Sequence, residues 1–289
     1  EEYDEWKDNP QFINDLVRML DNVITHFCDA APAQLYRAVA SAKAERSIGL
    51  GAMGFHAYLQ RHNIPFESAM AKSRNNKMFS FIKGEAENAT RELAVERGPC
   101  PDGASAGVRN AHLLAVAPNA SSSIICGNTS PSIEPYRANA FTQKTKSGSS
   151  LLKNEYLEHA LQEIGQDTDD VWKSIITNGG SVQHLEFLDD YTKDVFKTAV
   201  EIDQRWVIEM AADRQEKICQ SQSLNIFFPS NVSKQELHAI HMMAWKKKVK
   251  TLYYLRSEAS KRAETVSDEA LRQYIFDSID DEGCLACEG

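Results

Sequence analysis

What this sequence lacks excludes several classes of protein. No apolar run approaches the roughly 18 residues that a membrane-spanning helix needs. Cysteine is scarce: six residues, at 28, 100, 126, 219, 284 and 287, are too scattered for a secreted disulfide scaffold and fit a reducing cytoplasm. Positive charge is in deficit, with 32 Lys and Arg against 41 Asp and Glu and a net charge of −9. That balance argues against a broad nucleic-acid surface, which needs clustered cations to neutralise phosphates. The one basic cluster, Lys246, Lys247, Lys248 and Lys250, reads as the solvated end of a helix. There is no internal repeat and no initiating methionine, and no secretory leader is expected. The chain opens at Glu1, as a processed, trimmed or split product would.

What is present is the composition of a globular protein, 42% hydrophobic and 25% charged over 289 residues, enough for one large domain or two ordinary ones. Asn9-Pro10 followed by Phe12, Ile13, Leu16, Val17, Leu20, Val23, Ile24 and Phe27 predicts an amphipathic helix. A second long helical pattern runs from Phe66 to Glu96, with Gly84 as a point of bend or break and Gly98-Pro99 as its stop. Cys100, in the following Pro/Gly turn, reads as structural. Strands are expected at Leu113 to Val116, Ala138 to Thr145, Gln220 to Pro229 and Val249 to Leu255, with Lys146 to Ser150 a polar loop. Helices are expected at Asn154–Ile164, Asp170–Asn178, Thr192–Val200 and from Trp206 to about Ile218, and Ser233 opens another through a capping box with Glu236. This alternation implies an α/β barrel or an open α/β sheet. Beyond Arg256 the sequence turns polar and charged, and residues 261–289 read as a flexible tail behind a domain of residues 1–260.

Four stretches invite a chemical reading. In Pro118-Asn119-Ala120-Ser121-Ser122-Ser123, an apolar strand ends and a helix begins, so free N–H groups and small hydroxyls converge on one point. From spacing alone this is either an ordinary Ser-rich helix cap or a phosphate cradle. Arg46-Ser-Ile-Gly-Leu-Gly-Ala-Met-Gly-Phe55 contains a formal G-x-G-x-x-G, but without a convincing strand before it or a βαβ unit after it, a close-packed turn into a helix from Met53 to Arg61 is the better reading. Tyr253-Tyr254 in a regular strand would put one ring in the core and one outside. Cys284-Leu-Ala-Cys287 is half of a zinc site or a redox pair; zinc wants four ligands and none lies nearby, so no metal site is assigned to this chain. Cys126 reads as a packed small residue.

Pro-Asn-Ala-Ser-Ser-Ser, Ser132-Ile-Glu-Pro-Tyr136, Arg-Ser-Ile-Gly-Leu-Gly-Ala-Met-Gly-Phe, Glu-Arg-Gly-Pro-Cys-Pro and Lys-Thr-Leu-Tyr-Tyr-Leu-Arg together resemble the large (alpha) subunit of class I ribonucleotide reductase, in its C-terminal part. The resemblance implies the C-terminal part of that family's α/β barrel, with many helices and a flexible C-terminal tail. It implies reduction of ribonucleoside diphosphates, with Pro118, Asn119, Ala120, Ser121 and Ser122 holding the diphosphate. Tyr253 and Tyr254 would be the last steps of a radical relay, since a phenol stays neutral at physiological pH and releases proton and electron together. Cys284 and Cys287 would pass reducing equivalents from thioredoxin or glutaredoxin. The radical would come from a metal-containing small subunit. The family's Asn-x-Cys-x-Glu motif, which carries the thiyl-radical cysteine, is matched by none of the six cysteines, so an upstream fragment of the large subunit is expected to supply it and to bind nucleotide effectors. No nucleic acid or membrane is expected as a partner. Two alternatives stand beside this reading: a non-catalytic barrel-half scaffold, and an adenosylcobalamin-dependent reductase, against which the tyrosine pair argues.

Overall fold

The computed structural model describes residues 2–145 and 148–257. After a short α1 (Tyr3–Trp6), the periodic apolar residues do form a helix, α2 (Pro10–Ala30), with Pro10 in its first turn and Ile13 and Val17 buried. A helix that the periodicity did not announce follows, α3 (Tyr36–Glu45), with no buried residue of its own, which is why its sequence carries no apolar stripe. α4 (Phe55–Arg61) is the reverse case and is buried on nearly every side. Ser68 caps α5 (Ala69–Arg97), its Oγ accepting the Ala71 N–H at 3.1 Å. Gly84 leaves α5 unbroken, because its neighbours supply the buried face: Met78, Phe79 and Ile82 before it, Ala86, Ala89 and Leu93 after. Cys100 is buried in the turn beyond, as expected of a structural cysteine.

The strands of the main core are short and parallel. Leu50 bridges Leu114, Val116 bridges Gln222, and β3 (Ile226–Phe228) pairs with β4 (Leu255–Ser257), all in the parallel sense. The N–H of Leu50 donates to Leu113 (2.8 Å), that of Val116 to Ser221 (3.1 Å) and that of Tyr253 to Leu224 (2.8 Å). Four segments, near residues 48–50, 113–116, 221–228 and 253–257, therefore run side by side in chain order. Among the described residues, the ladder extends no further than the first and last of these. Leu114, Val116, Leu224, Ile226 and Phe228 pack with Phe55, Phe79 and Leu93 in the main core. Each large side chain buried there is worth about 1.5–3 kcal/mol.

Between the second and third of these segments lies a smaller unit. It comprises α6 (Ala120–Ile125), a hairpin of β1 (Ala140–Thr145) and β2 (Gly148–Lys153), and the helices α7 (Glu155–Glu163), α8 (Asp169–Thr177) and α9 (Asp190–Val195). The expected polar loop at Lys146 to Ser150 is thus mostly strand, because Gly148 to Lys153 pairs in register with Thr145 back to Ala140. α9 stops five residues short of the expected Val200; the chain turns there, and Ala199 donates its N–H to Tyr136. A second apolar cluster around Trp172, Leu157, Leu161 and Ile175 holds the unit together. Buried amides join it to α4: Asn154 donates to Gln60 (2.8 Å) and Asn139 (2.9 Å), and Gln60 donates to the Val195 carbonyl. α10 (Gln204–Gln215) and α11 (Lys234–Lys246) complete the main core, α11 capped by Ser233, whose Oγ accepts the Glu236 N–H at 3.0 Å. No helix among the described residues is long and apolar enough to cross a membrane.

One buried anion joins the ends of these elements. Asp21, fully buried on α2, accepts hydrogen bonds from Arg46 (2.8 Å) after α3, Arg97 (3.0 Å) at the end of α5, and Arg109 and Asn110 ahead of the second strand segment. Burial works against its charge, but the guanidiniums of Arg46, Arg109 and Arg97 outweigh it and hold the carboxyl below its ordinary range. Removing one partner of such a set strands the others. Asp21→Asn should therefore cost about 3–5 kcal/mol in urea denaturation at neutral pH. The parent should lose Asp21's contribution as pH falls through the lowered folded-state value, whereas the asparagine variant should show no such step.

Candidate active site

Val116 ends the second strand segment, and the chain passes Pro118 into Asn119, whose backbone is left-handed (φ 52°, ψ 28°). That turn starts α6. The first intrahelical bond is Ser123 N–H to the Asn119 carbonyl, so the N–H groups of Ala120, Ser121 and Ser122 precede the helix ladder. Ala120 and Ser121 are exposed, Pro118, Asn119 and Ser122 half-buried. Asn119 Nδ2 donates to Ser122 Oγ at 3.2 Å, and the buried Ser123 turns back onto the Ala120 carbonyl. Cys126, expected to be packed, is exposed at the end of α6, because the helix stops before a further turn can cover it.

The glycine-rich turn sits beside this segment. Leu50 does belong to a strand pairing, which the sequence did not announce, and the chain then runs through Gly51 and Gly54 into α4. Gly54 donates its N–H to Ser130 and Phe55 to Ser132, so the loop after α6 is pinned to the start of α4. His56 on α4 accepts the Tyr136 N–H at Nδ1 (3.0 Å); burial lowers its pKa to about 3, leaving it a neutral acceptor that anchors the loop.

The same loop carries Glu134 inward, 3% exposed. Its Oε1 accepts the Asn225 N–H at 3.3 Å, and the side-chain Oδ1 of Asn225 accepts the Tyr254 N–H at 3.0 Å. Tyr253 and Tyr254 lie just before β4, not inside the expected strand from Val249 to Leu255. Their rings are neighbours, with centroids 4.2 Å apart and planes at 49°. The Arg256 guanidinium stands 4.8 Å from the Tyr254 ring centre, and its Nε is buried with no hydrogen-bond partner among the described residues. Burial pushes the Glu134 carboxyl up to about 7, against the pull of the Arg137 and Arg256 charges and the Asn225 N–H. Among the described residues, no group of three or more His, Cys, Asp or Glu side chains could hold a metal ion. Cys284 and Cys287 lie outside the described residues.

Sequence reasoning singled out the serine segment and the tyrosine pair as candidates but passed over Glu134, Asn225 and Arg256. The available signals were a carboxylate between Ile133 and Pro135, and a lone amide in the apolar run Leu224 to Phe228. Both are polar groups in settings that bury them, and such groups need partners.

The sequence profile of the family described as "Ribonucleotide reductase, barrel domain" matches residues 1–102 and 101–255. The ribonucleoside-diphosphate reductase large subunit of Invertebrate iridescent virus 6 is 51% identical over 271 residues, covering 92% of this chain and 28% of that protein. The putative large subunit of Frog virus 3 is 48% identical over 100% of this chain and 50% of its own length. Among solved structures, the class Id ribonucleotide reductase alpha subunit of Actinobacillus ureae superposes with a TM-score of 0.83 at 39% identity, over 90% of this chain and 48% of that one. The chain thus spans half or less of the length of these relatives.

Glu134 has a measurable signature. Its folded-state value near 7 lies above the ordinary 4.5, so between these pH values the folded chain keeps a proton that the unfolded chain has released. Burying Glu134 therefore costs stability progressively as pH rises from about 4.5 to 7. Glu134→Gln cannot ionise, so relative to the parent it should gain about 1–3 kcal/mol between pH 5 and pH 8. Parallel denaturation curves for the two proteins across this range would contradict that assignment.

Proposed function

The chain belongs to the ribonucleotide reductase family, whose barrel domain it matches, and on that premise we propose that it is the C-terminal part of a large subunit that reduces ribonucleoside diphosphates. The observation that carries this reading is the pair of adjacent tyrosine rings, 4.2 Å apart between centroids, at the edge of a parallel ladder. Adjacent residues of a regular strand face opposite ways, so the pairing is a departure that a relay between phenols would use. Tyr253 is 45% exposed and Tyr254 is half-buried, so a relay would enter at the more exposed ring and leave by the more covered one. Each step moves one proton and one electron together, which keeps uncompensated charge out of the interior.

Ser121 and Ser122, with the N–H groups of Ala120 to Ser122 and the Asn119 turn behind them, are the groups that would hold the substrate diphosphate. The ladder's outer member at residues 48–50 is where strands of the upstream fragment would continue the barrel, bringing the thiyl-radical cysteine and the effector sites. A small subunit whose metal centre generates the radical would dock so that its last carrier reaches Tyr253. Cys284 and Cys287 would then act as a dithiol, one thiolate attacking the oxidised active-site disulfide and the other resolving the mixed disulfide, with a thioredoxin-like donor restoring both. The setting would be cytoplasmic.

Three sets of variants in the assembled enzyme test this. Tyr253→Phe and Tyr254→Phe keep the ring and lose the removable hydrogen, so turnover should vanish while diphosphate binding persists; normal turnover by either would rule out the relay. Replacing Ser121 and Ser122 together by alanine should raise KM for the diphosphate tenfold or more, since hydrogen bonds to charged groups are worth about 1.5–3 kcal/mol. Unchanged KM would remove the cradle. Cys284→Ser or Cys287→Ser should leave the melting temperature and a single turnover of pre-reduced enzyme intact but abolish thioredoxin-supported turnover, which a small dithiol should partly restore. A lowered melting temperature with thioredoxin-supported turnover preserved would mean the pair is structural.

A further inference from the structure

In a regular parallel pairing, one residue donates its N–H to the residue before its partner and accepts from the residue after it. Opposite Asn225 this single place is filled by two residues. Tyr253 donates its N–H to the Leu224 carbonyl at 2.8 Å, but it is Tyr254 whose carbonyl accepts the Ile226 N–H at 3.0 Å. The pairing just ahead of β4 therefore carries a one-residue bulge at the tyrosine pair, and regular pairing resumes with Leu255 opposite Ile226. A bulge has two consequences that bear directly on the rings. It breaks the alternation of faces, so two successive side chains can meet, and it adds an amide with no place in the ladder.

The added amide, the Tyr254 N–H, is taken by Asn225 Oδ1 at 3.0 Å. The Asn225 N–H is in turn taken by Glu134, reaching in from the loop after α6. Asn225 and Glu134 are each 3% exposed, so water does not compete freely for these groups. From this geometry we propose that Asn225 is the positioning residue of the tyrosine pair, closing the bulge with its side-chain oxygen, and that Glu134 fixes Asn225 in that role. The Arg256 guanidinium against the Tyr254 ring limits the remaining freedom of that ring. The inference concerns the placement of the rings and rests on the relay reading only for its effect on turnover.

Asn225→Ala removes the acceptor; Asn225→Asp keeps an oxygen at the same reach. Each is made in the full large subunit carrying this segment, with 3-fluorotyrosine at position 253 as a reporter of the neighbouring ring. In the alanine variant the fluorine resonance should move toward that of an isolated tyrosine. In that variant without the label, kcat should fall about 10²-fold, as a misplacement near 1 Å can produce, with KM for the diphosphate unchanged. The aspartate variant should keep the parent resonance and most of kcat. Should the alanine variant fail to fold by circular dichroism, Asn225→Ser, too short to reach the amide, carries the same forecast. A parental resonance in a folded alanine or serine variant would overturn the proposal, as would an aspartate variant that behaves like alanine. The Tyr254→Phe control separates the two claims. If it turns over normally the relay is wrong and the resonance alone judges Asn225; if it is inactive while Asn225→Ala keeps both resonance and kcat, the relay stands and the positioning role falls.

Discussion

A Cβ added at Gly51 would lie 2.5 Å from the carbonyl oxygen of Ala115, closer than real Cβ contacts come. The first two parallel segments therefore approach each other only because residue 51 has no side chain. Ala115 returns its N–H to Leu50, Val116 passes the pairing on to Ser221 and Ser223, and the third segment passes it to Tyr253 and β4. Parallel strands cannot pair through a tight hairpin, so each must be delivered by a long crossover and held by its neighbour. Here the crossovers are the long α5, the smaller unit around Trp172, and α11. The formal G-x-G-x-x-G is thus a packing device, with Gly54 (φ 80°) turning the chain into α4.

The ends of these crossovers are fixed by polar groups held in places water does not reach. Asp21 gathers three arginines from three places in the chain, and Arg214, buried between Phe55 and Phe79, donates to Asn75 and Gln222. Burial lowers the Arg214 pKa to about 9, which still leaves it charged at neutral pH. Such groups contribute little net free energy over an apolar replacement, but each has one satisfactory arrangement. They fix the direction in which each helix hands its strand to the ladder. The serine segment and the tyrosine pair inherit their relative placement from this, since one loop leaves α6, is pinned at Ser130, Ser132 and Tyr136, and ends with Glu134 on Asn225.

Much of this was legible in the chain. The stripe Phe12 to Phe27, the helix expected from Phe66 to Glu96, the Ser233 cap and the serine-rich helix start are local signals, and each formed near where the pattern put it. The resemblance to the reductase family likewise rested on short contiguous motifs, and the family match agrees with it. The elements misread are those without local causes. α3 buries nothing, so it has no stripe; the second hairpin strand exists because a partner strand lies beside it; the strand near Leu50 is a single bridge to Leu114, some 60 residues away.

The sequence alone therefore supplied the candidates for chemistry: hydroxyls at a helix start, two adjacent phenols, two cysteines three apart. It also determined the helices that carry an apolar stripe or a cap, because a helix satisfies its hydrogen bonds within itself. Only the tertiary structure decided that Tyr253 and Tyr254 face one another. The rule of alternating faces would have separated them, and what overrides it is a bulge closed by Asn225 from a neighbouring strand and Glu134 from a distant loop. A hydrogen bond between residues 29 positions apart, and a second between residues 91 apart, leave no periodicity to read.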